Sequence, residues 1–256
     1  MLQSVVCLAC CAFGCGVAAR GNSPASWQLA LRLYPGERIT ERMYENDKTD
    51  WKLPERRLER FRKAGVIINE EEHITSLIAA NVVSVVDGIA LLRGTSSVTS
   101  FDVPRSHTQT SQQPFMSAVA PNNMSIALAR IPLEDAAMAQ LPGTPLRLGE
   151  HWQTRLAVIT NLGSGHAVFD HEVMTLDNGL LEIAVHGVGA ITGTEYHLPK
   201  LLPGTIDLVG SAWYDPAAGL IVRESYLVRN RIIKPMDGED SGFDERLTVD
   251  IATRKI

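Results

Sequence analysis

Short turn signals divide the sequence into runs of β-branched and aromatic residues. Asn178-Gly179 separates Ala167–Leu176 from Leu180–Val188, and Asp87-Gly88 separates two further runs rich in Val and Ile. Both dipeptides are typical of two-residue hairpin turns, in which the two central residues adopt positive φ. Long helical periodicity is absent. The chain is therefore predicted to be mainly β, antiparallel, with a few short helices.

The composition divides the chain into two β-rich halves. The first covers residues 26–103 and the second residues 146–256, and the polar stretch 104–145 between them is predicted to be a long connecting segment. Leu53–Ala64 is the best helix candidate, because a proline stands in its first turn and a glycine follows it. A second short helix is predicted over Leu133–Gln140.

A short similarity links the two halves. The sequence Leu-Arg-Leu followed by Gly-Glu occurs at Leu31–Glu37 and again at Leu146–Glu150. A Gly-Glu turn that opens a strand would serve the same purpose in both places. Duplication of one half is one interpretation, and a chance likeness between two strand openings is the other.

The amino terminus has features of an export signal. Val5–Ala19 is an uncharged apolar run that ends in small residues before Arg20, although Met1–Ser4 lacks the usual Lys or Arg. The run is shorter than the roughly 20 residues of a membrane-spanning helix. We therefore expect a leader over residues 1–19, and export to the periplasm, the cell envelope or the extracellular space, with no other transmembrane span.

All four cysteines lie inside this run, so a processed chain would contain no disulfide. An alternative is a lipoprotein leader cut before Cys15, which would carry a lipid anchor. Gly14 supplies the small residue expected before such a cysteine, but Ala12 stands where Leu or Val is usual. A buried amino-terminal helix is the third interpretation.

The charge of the chain argues against nucleic-acid binding. The formal net charge is −5, and the densest basic stretch, Arg38–Lys63, is interleaved with acidic residues. A nucleic-acid-binding protein usually presents a basic face. The stretch is therefore interpreted as a mixed, solvated surface.

The Asn178-Gly179 hairpin predicts a pair of neighbouring histidines. If these two residues form the whole loop, His171 lies opposite His186, and Phe169 opposite Val188, with Cβ atoms about 4.5–5.5 Å apart. Such histidines could share a metal ion or a proton. A metal site usually needs a third ligand, however, and no spacing provides one. We predict no metal and no cofactor, and a one-residue change of register would separate the pair.

The sequence contains no recognised catalytic motif. Gly163-Ser164-Gly165 lacks the spacing of a nucleophile elbow, and phosphate-binding, dinucleotide-binding and zinc-protease motifs are absent. In the hairpin Gly210–Arg229, Val222, Glu224 and Tyr226 are predicted to share one strand face. Glu224 is interpreted either as a cavity carboxylate or as part of a salt bridge at the rim.

The segment Leu146–Arg229 resembles a group of bacterial exported envelope proteins. The resemblance is carried by LRLGEHW at Leu146–Trp152 and by WYDPAAGLIV at Trp213–Val222. The pattern is similar to that of concave-sheet proteins related to the outer-membrane lipoprotein carriers, which hold acyl chains on the concave face. The resemblance implies an open, curved antiparallel sheet or half-barrel, with Leu53–Ala64 and Leu133–Gln140 as the candidate lid helices. No catalytic residue of that group corresponds to a residue of this chain.

Three functions are compatible with these features. The first is a non-catalytic envelope protein that binds an apolar or amphipathic, lipid-like ligand on a concave sheet. The second is a structural or interaction module that binds an envelope protein through a sheet edge or the segment 104–145. The third is a metal-dependent hydrolase. The ligand-binding candidates are Val222, Glu224, Tyr226, Phe169, His171 and His186, and the last two are the weak metal candidates.

Overall fold

The computed structural model describes residues 25–126, 130–194, 201–236 and 239–256, so the predicted leader and Cys15 lie outside the described residues. The described part of the chain forms one open sheet of eleven strands with two helices. In chain order these are β1 (Arg38–Lys52), α1 (Glu55–Lys63), β2 (Asn69–Val86), β3 (Ile89–Asp102), β4 (His107–Val119), β5 (Ile131–Pro132), α2 (Leu133–Ala136), β6 (His151–Thr160), β7 (Gly163–Asp177), β8 (Leu180–Thr194), β9 (Leu201–Asp215), β10 (Leu220–Met236) and β11 (Glu239–Lys255).

The strand order in the sheet is β4-β3-β2-β1-β11-β10-β9-β8-β7-β6-β5. Every neighbouring pair is antiparallel except β5 with β6. The prediction of a mainly β, open sheet with one or two short helices is confirmed. No helix in the described part of the chain is long and apolar enough to cross a membrane.

The two predicted hairpin turns are present. Asp87 and Gly88 join β2 to β3 with φ values of 52° and 79°, and Asn178 and Gly179 join β7 to β8 with φ values of 50° and 83°. Two successive positive φ values give a turn whose twist matches that of the flanking strands. Both hairpins are therefore determined locally, by residues that tolerate this conformation.

The predicted connecting segment 104–145 is not structureless, and that prediction is wrong for its first part. His107–Val119 forms β4, an edge strand that pairs with β3 along its whole length. Side chains on both faces of β4 are largely exposed, so the strand lacks the alternation of apolar and polar residues that marks a half-buried strand. Of the predicted helix Leu133–Gln140, only the part that forms α2 is helical. Helix α1 matches the other predicted helix, Leu53–Ala64, closely.

The Gly-Glu turns that open β1 and β6 have the same local structure. The Glu37 carboxylate accepts a hydrogen bond of 2.9 Å from the Tyr34 amide, and the Glu150 carboxylate accepts one of 2.9 Å from the Arg147 amide. The glycine before each glutamate has a positive φ, 89° in the first turn and 76° in the second. The shared sequence therefore encodes a shared strand opening.

The sheet is strongly curved. Four strands lie between β1 and β7. Neighbouring strands are about 4.8 Å apart, so β1 and β7 would be roughly 24 Å apart in a flat sheet. Instead, Asn161 in the β6–β7 turn donates a hydrogen bond of 3.1 Å from Nδ2 to Asp47 Oδ2 in β1. This contact brings the two ends of the curve together over one concave surface, called the inner face below.

The inner face is filled under only part of the sheet. Residues 131–141 lie against it and contribute Ala136, Ala137 and Met138, all at most 1% exposed. They belong to the same apolar core as Phe169 of β7 and Leu208 of β9. The core is therefore centred on β6–β10.

Tyr214, which is fully buried in β9, anchors the amino-terminal segment to this core. Its hydroxyl donates to the Ala30 carbonyl at 2.8 Å and accepts from the Ala30 amide at 3.1 Å. One side chain thus satisfies both backbone polar groups of a residue far away in sequence.

We expect Tyr214→Phe to lower the free energy of unfolding by about 1–3 kcal/mol, because both polar groups of Ala30 lose their partner. Urea denaturation measures this change. Tyr44→Phe, on the exposed outer face, is the control and should change stability by less than about 0.5 kcal/mol. Equal effects of the two variants would contradict the anchoring role.

Candidate functional site

A cavity of about 640 Å³ opens on the inner face, next to the filled part. Its floor is formed by β1, β2, β10 and β11, and the residues Pro132–Glu134 and Ile159–Leu162 form the facing wall. Its apolar lining includes Met43, Ile74 and Leu247. The cavity exists because the curvature brings two distant parts of the sheet within reach of each other.

Carboxylates dominate the polar lining of this cavity. They come from four elements: Glu45 and Asp47 from β1, Glu70 and Glu72 from β2, Glu134 from α2, and Glu245 from β11. No Lys, Arg or His is among the described residues that line it. We call these six side chains the acidic cluster.

The strand register places these groups close together. Asp47 lies directly opposite Glu72 in β2, and Glu245 lies opposite Thr49 in β1 on one side and Asn230 in β10 on the other. Directly opposed side chains on one face are about 4.5–5.5 Å apart at Cβ. Like charges at this distance destabilise a sheet unless they are protonated or compensated.

Burial and mutual repulsion raise the pKa values of four members of the cluster: Glu45, Asp47, Glu134 and Glu245. The pKa of Glu45 is raised to about 8 by burial and by the nearby charges of Glu134 and Asp47. Burial raises the pKa of Glu245 and of Glu134 to about 7 in each case, with further contributions from Asp47 and Asp135 respectively. Part of the cluster is therefore protonated near neutral pH.

The hydrogen bonds that Asp47 accepts limit the rise of its pKa. Burial raises its pKa to about 6, and the bonds from Asn161 and Thr49 oppose that rise. These two bonds measure 3.1 Å and 3.4 Å. The pKa of Asp47 is thus the lowest of the four raised values in the cluster.

A second group of carboxylates continues along the same face. The pKa of Glu224 is raised to about 8 and that of Glu41 to about 7, in both cases first by burial and then by neighbouring carboxylates. The hydroxyl of the buried Tyr226 donates to Glu224 Oε2 at 2.6 Å. Asp135 is exposed to the space inside the curve, but the surrounding protein still raises its pKa to about 6. Glu224 and Glu41 line a small pocket of about 70 Å³, separate from the larger cavity, so Glu224 is a cavity carboxylate. It forms no salt bridge among the described residues.

Asn230 contributes an unpaired acceptor to the cavity. Its side chain is 1% exposed, and its Nδ2 donates to Glu245 Oε2 at 2.5 Å. Its Oδ1 is buried without a hydrogen-bond donor among the described residues. Buried polar atoms are nearly always paired, so an orphaned acceptor beside a cavity needs a physical explanation.

The predicted pairing of His171 with His186 is wrong. A β-bulge at Met174 shifts the register by one residue, so that His171 lies opposite Val185, and His186 lies opposite Asp170. The two histidines consequently point to opposite faces of the sheet. The hairpin turn was identified correctly, but the bulge four residues from it cannot be read from the apolar pattern.

His171 is a core residue and not a partly exposed strand histidine. Its side chain is 1% exposed and its ring is stacked on Trp152 at a centroid distance of 4.3 Å. Nε2 donates to the Ala137 carbonyl at 2.7 Å. Burial lowers the pKa of His171, so the neutral ring holds the segment after α2 against the sheet. Phe169, on the same face, is also fully buried in the core.

His186 lies on the outer face, with Nε2 3.6 Å from Asp207 Oδ1, and more than half of its side chain is exposed. Within the described ranges, no three Asp, Glu, His or Cys side chains are arranged to hold a metal ion. The two histidines therefore belong to two different environments.

The predicted shared face of Val222, Glu224 and Tyr226 is also interrupted by a bulge. Ile221 pairs with Tyr214 and Arg223 with Trp213, which leaves Val222 without a partner in β9. Val222 lines a hollow of about 720 Å³ that includes Arg42 and Tyr44 of the outer face, whereas Glu224 and Tyr226 belong to the inner face. Three cationic side chains of this hollow are already engaged: Arg42 with the Tyr44 hydroxyl, Arg223 over the Trp213 ring, and Lys255 with the Ala218 carbonyl.

The acidic cluster was missed by the sequence interpretation. The stretch from Arg38 was interpreted as a mixed, solvated surface, but Glu45 and Asp47 are only 8% and 9% exposed. The sequence signal that could have revealed the cluster is an alternation of charge with a period of two residues. In β1, Glu41, Glu45 and Asp47 occupy odd positions, and Arg42 and Lys48 occupy even ones. Alternation in a strand sends these two sets to opposite faces.

Comparisons with known proteins do not assign the chain to a family. No protein-family model and no curated protein matches the sequence. A solved structure similar in part is the InvG secretin domain β-barrel from the Salmonella SPI-1 injectisome NC-base, with 10% identity and a TM-score of 0.17 over 86% of this chain. The match spans 63% of the InvG chain. A likeness this weak carries no functional argument.

The two histidines should respond differently to substitution. We expect His171→Ala to lower the free energy of unfolding by about 2–4 kcal/mol, because it leaves a cavity and an unpaired Ala137 carbonyl. His186→Ala should change it by less than about 0.5 kcal/mol. Guanidinium denaturation tests both, and a large loss in His186→Ala would contradict the assigned positions.

The acidic cluster should make stability fall as pH rises. The folded pKa values of Glu45 and Glu245 lie above the ordinary value of 4.5, at about 8 and about 7. Between the ordinary pKa of 4.5 and these raised values, the folded state therefore binds more protons than the unfolded state. The stability of the folded state decreases as pH rises through this range. His171 acts in the opposite direction, because its folded pKa is lowered.

Comparing the parent protein with the double variant Glu45→Gln/Glu245→Gln isolates the contribution of the acidic cluster to the pH dependence of stability. The contribution of His171 is the same in both proteins and cancels. We expect the double variant to be more stable than the parent by at least about 1 kcal/mol near pH 8, and the difference to shrink toward pH 5. Urea midpoints across this range measure it. Asp250→Asn, on the outer face of the same strand, should leave the pH profile unchanged, and a parallel profile in the double variant would refute the assignment.

Proposed function

We propose that the protein is a non-catalytic, exported envelope protein that binds an amphipathic, lipid-like ligand on the inner face of its curved sheet. The observation that carries this proposal is the cavity of about 640 Å³ on that face. Its size lies within the range of roughly 300–1,000 Å³ that is usual for small-ligand sites. Apolar and acidic side chains line it together, which suits a ligand with an apolar part and a polar head.

The distribution of the core supports the same proposal. Under β6–β10 the inner face is covered by residues 131–141, which belong to the protein itself. Under β1, β2 and β11 the apolar side chains of Met43, Ile74 and Leu247 line open space instead. Apolar surface that the chain does not cover is the surface on which a ligand gains most from leaving water.

The resemblance to concave-sheet envelope proteins gives the proposal a second line of support. In those proteins the concave face holds acyl chains beneath a helical lid. In this chain α1 follows β1 directly, and Phe61 of α1 packs edge-on against Trp51 at a centroid distance of 6.1 Å. Trp51 lines the cavity, so α1 is positioned as a candidate lid at one end of it.

A second candidate function is an interaction module of the cell envelope, and the position of β4 favours it. β4 is a long strand at the edge of the sheet, with largely exposed side chains on both faces. An exposed edge offers unpaired backbone groups to which a partner strand can add. We expect a protein partner at this edge, and we expect no nucleic-acid partner because the net charge is negative.

The third hypothesis, a metal-dependent hydrolase, depended on His171 and His186 sharing one face. Because the bulge at Met174 separates them, the geometric basis of that hypothesis is lost.

Binding of a medium-chain alcohol tests the first proposal. We expect decanol to bind the purified protein and to quench the fluorescence of Trp51, which lines the cavity. Leu162→Trp places a larger side chain in the wall and should weaken binding at least about tenfold, whereas Leu77→Trp on the exposed part of β2 should not. Absence of binding, or equal binding by both variants, would exclude this cavity as the site.

Native mass spectrometry of the protein isolated after export separates the two candidate functions. Co-purified lipid that is released by organic solvent supports ligand binding. Stoichiometric assembly without lipid, lost when Gln112→Lys places a charge on the β4 edge, supports the interaction module instead.

A further inference from the structure

We propose that the cavity selects an amphipathic organic cation: a molecule with a primary ammonium or guanidinium head and an apolar tail. The head would be bound by Glu45, Asp47 and Glu245 together with Asn230 Oδ1. This inference deepens the proposed function and rests on it, since it names the chemical class of the ligand for the same cavity.

The charge of the cavity is the first argument. Among the described residues that line it, every titratable group is acidic: Glu45 and Asp47 from β1, Glu70 and Glu72 from β2, Glu134 from α2 and Glu245 from β11. None of these six carboxylates forms a salt bridge within the described part of the chain. Removing carboxylates from water without a counter-charge is unfavourable, and a bound cation would compensate them.

The orphaned acceptor is the second and independent argument. Asn230 is 1% exposed, and its Oδ1 has no donor within the described ranges, although its Nδ2 is bound to Glu245. An ionised carboxylate only accepts hydrogen bonds, so the acidic cluster cannot satisfy this oxygen in its ionised form. The amide of Asn161, which could have donated, is directed to Asp47 instead. An ammonium group brings three N–H donors, which is what Asn230 Oδ1 and two carboxylates together require.

The spacing of the carboxylates distinguishes an organic cation from a metal ion. A metal ion needs several ligand atoms within about 2.0–2.6 Å of one point. In the ranges that the structure describes, no such group of acidic or histidine side chains exists. The carboxylates are instead distributed along three neighbouring strands and the facing wall, an arrangement that can neutralise a larger and less demanding head group.

The apolar part of the lining completes the match. Leu247 and Val249 of β11 lie opposite Asp47 and Glu45 across the β1–β11 ladder, and Ile74 lies opposite Glu45 across the β1–β2 ladder. A simple polyamine would leave this apolar surface uncovered. A cation with a hydrocarbon tail would cover it and place its head at the acidic cluster.

Proton release is the expected signature of such binding. Burial raises the pKa values of Glu45 and Glu245 to about 8 and about 7, so a fraction of these groups is protonated near neutral pH. A bound cation favours the ionised form and lowers these pKa values. Binding of an amine should therefore release protons, and its affinity should rise from about pH 5.5 to about pH 8.

Isothermal titration calorimetry with three ligands of equal chain length tests the inference: decylamine, decanol and decanoate. We expect decylamine to bind at least about tenfold more tightly than decanol, and decanoate to bind least tightly. Repeating the decylamine titration in buffers of different ionisation enthalpy counts the protons released. In Glu45→Gln/Glu245→Gln the preference for the amine over the alcohol should disappear, while decanol binding is retained.

The matched control is Asp250→Asn, which removes a carboxylate from the outer face of the strand that carries Glu245. It should leave the preference for decylamine intact. Each substitution in the double variant and in the control replaces a carboxylate by a neutral side chain of similar size. Circular dichroism verifies that both variants are folded.

The possible outcomes separate this inference from the function on which it rests. Equal affinities for decylamine and decanol would overturn the selection of a cation and leave ligand binding on the inner face standing. Failure of all three ligands to bind would overturn the proposed function as well. Tight decylamine binding that is unchanged in the double variant would place the amine elsewhere on the protein and would also overturn the inference.

Discussion

The curvature of the single sheet is the constraint on which the rest of the structure depends. It is maintained by contacts across the inner face: Asn161 of the β6–β7 turn reaches Asp47 of β1, and His171 holds the Ala137 carbonyl. A flat sheet would keep these pairs far apart and would leave the apolar side chains of β6–β10 exposed to water. The curved sheet encloses residues 131–141 as its core and leaves the space beside them open.

The open space has an unfavourable electrostatic arrangement. Asp47 and Glu72 lie directly opposite each other, and Glu45 and Glu245 are almost fully buried without a basic partner in the described chain. The stability of the fold alone would be better served by apolar or amide side chains at these positions. Buried groups with strongly raised pKa values are more common at functional sites than elsewhere, which supports a ligand site in this cavity.

The sequence predicted those parts of the fold that short-range chemistry determines. Asp87-Gly88 and Asn178-Gly179 favour positive φ, and both form the predicted hairpins. Helix α1 lies between its predicted proline and glycine. Strand β4 escaped prediction because neither of its faces is buried, and a strand without a buried face has no apolar period to detect.

The candidate site was less predictable, for a different reason. A bulge adds one residue to one strand and exchanges the two faces beyond it. Such bulges at Met174 and Val222 separated His171 from His186, and Val222 from Glu224. In β1, by contrast, no bulge interrupts the register with β2 or β11, so the alternation of acidic and basic residues correctly marks two faces. The sequence could have identified the two faces of β1 but not which of them is enclosed.

By itself, the sequence determined the elements: strands, hairpin turns, one helix and the alternation of charge along β1. These follow from the conformational preferences of neighbouring residues, which act over a few positions of the chain. Only the tertiary structure decided that the acidic face of β1 lies inside the curve, beside Asn230 and opposite Glu134. Curvature and bulges are properties of many paired strands together, and the pattern of any single strand does not contain them.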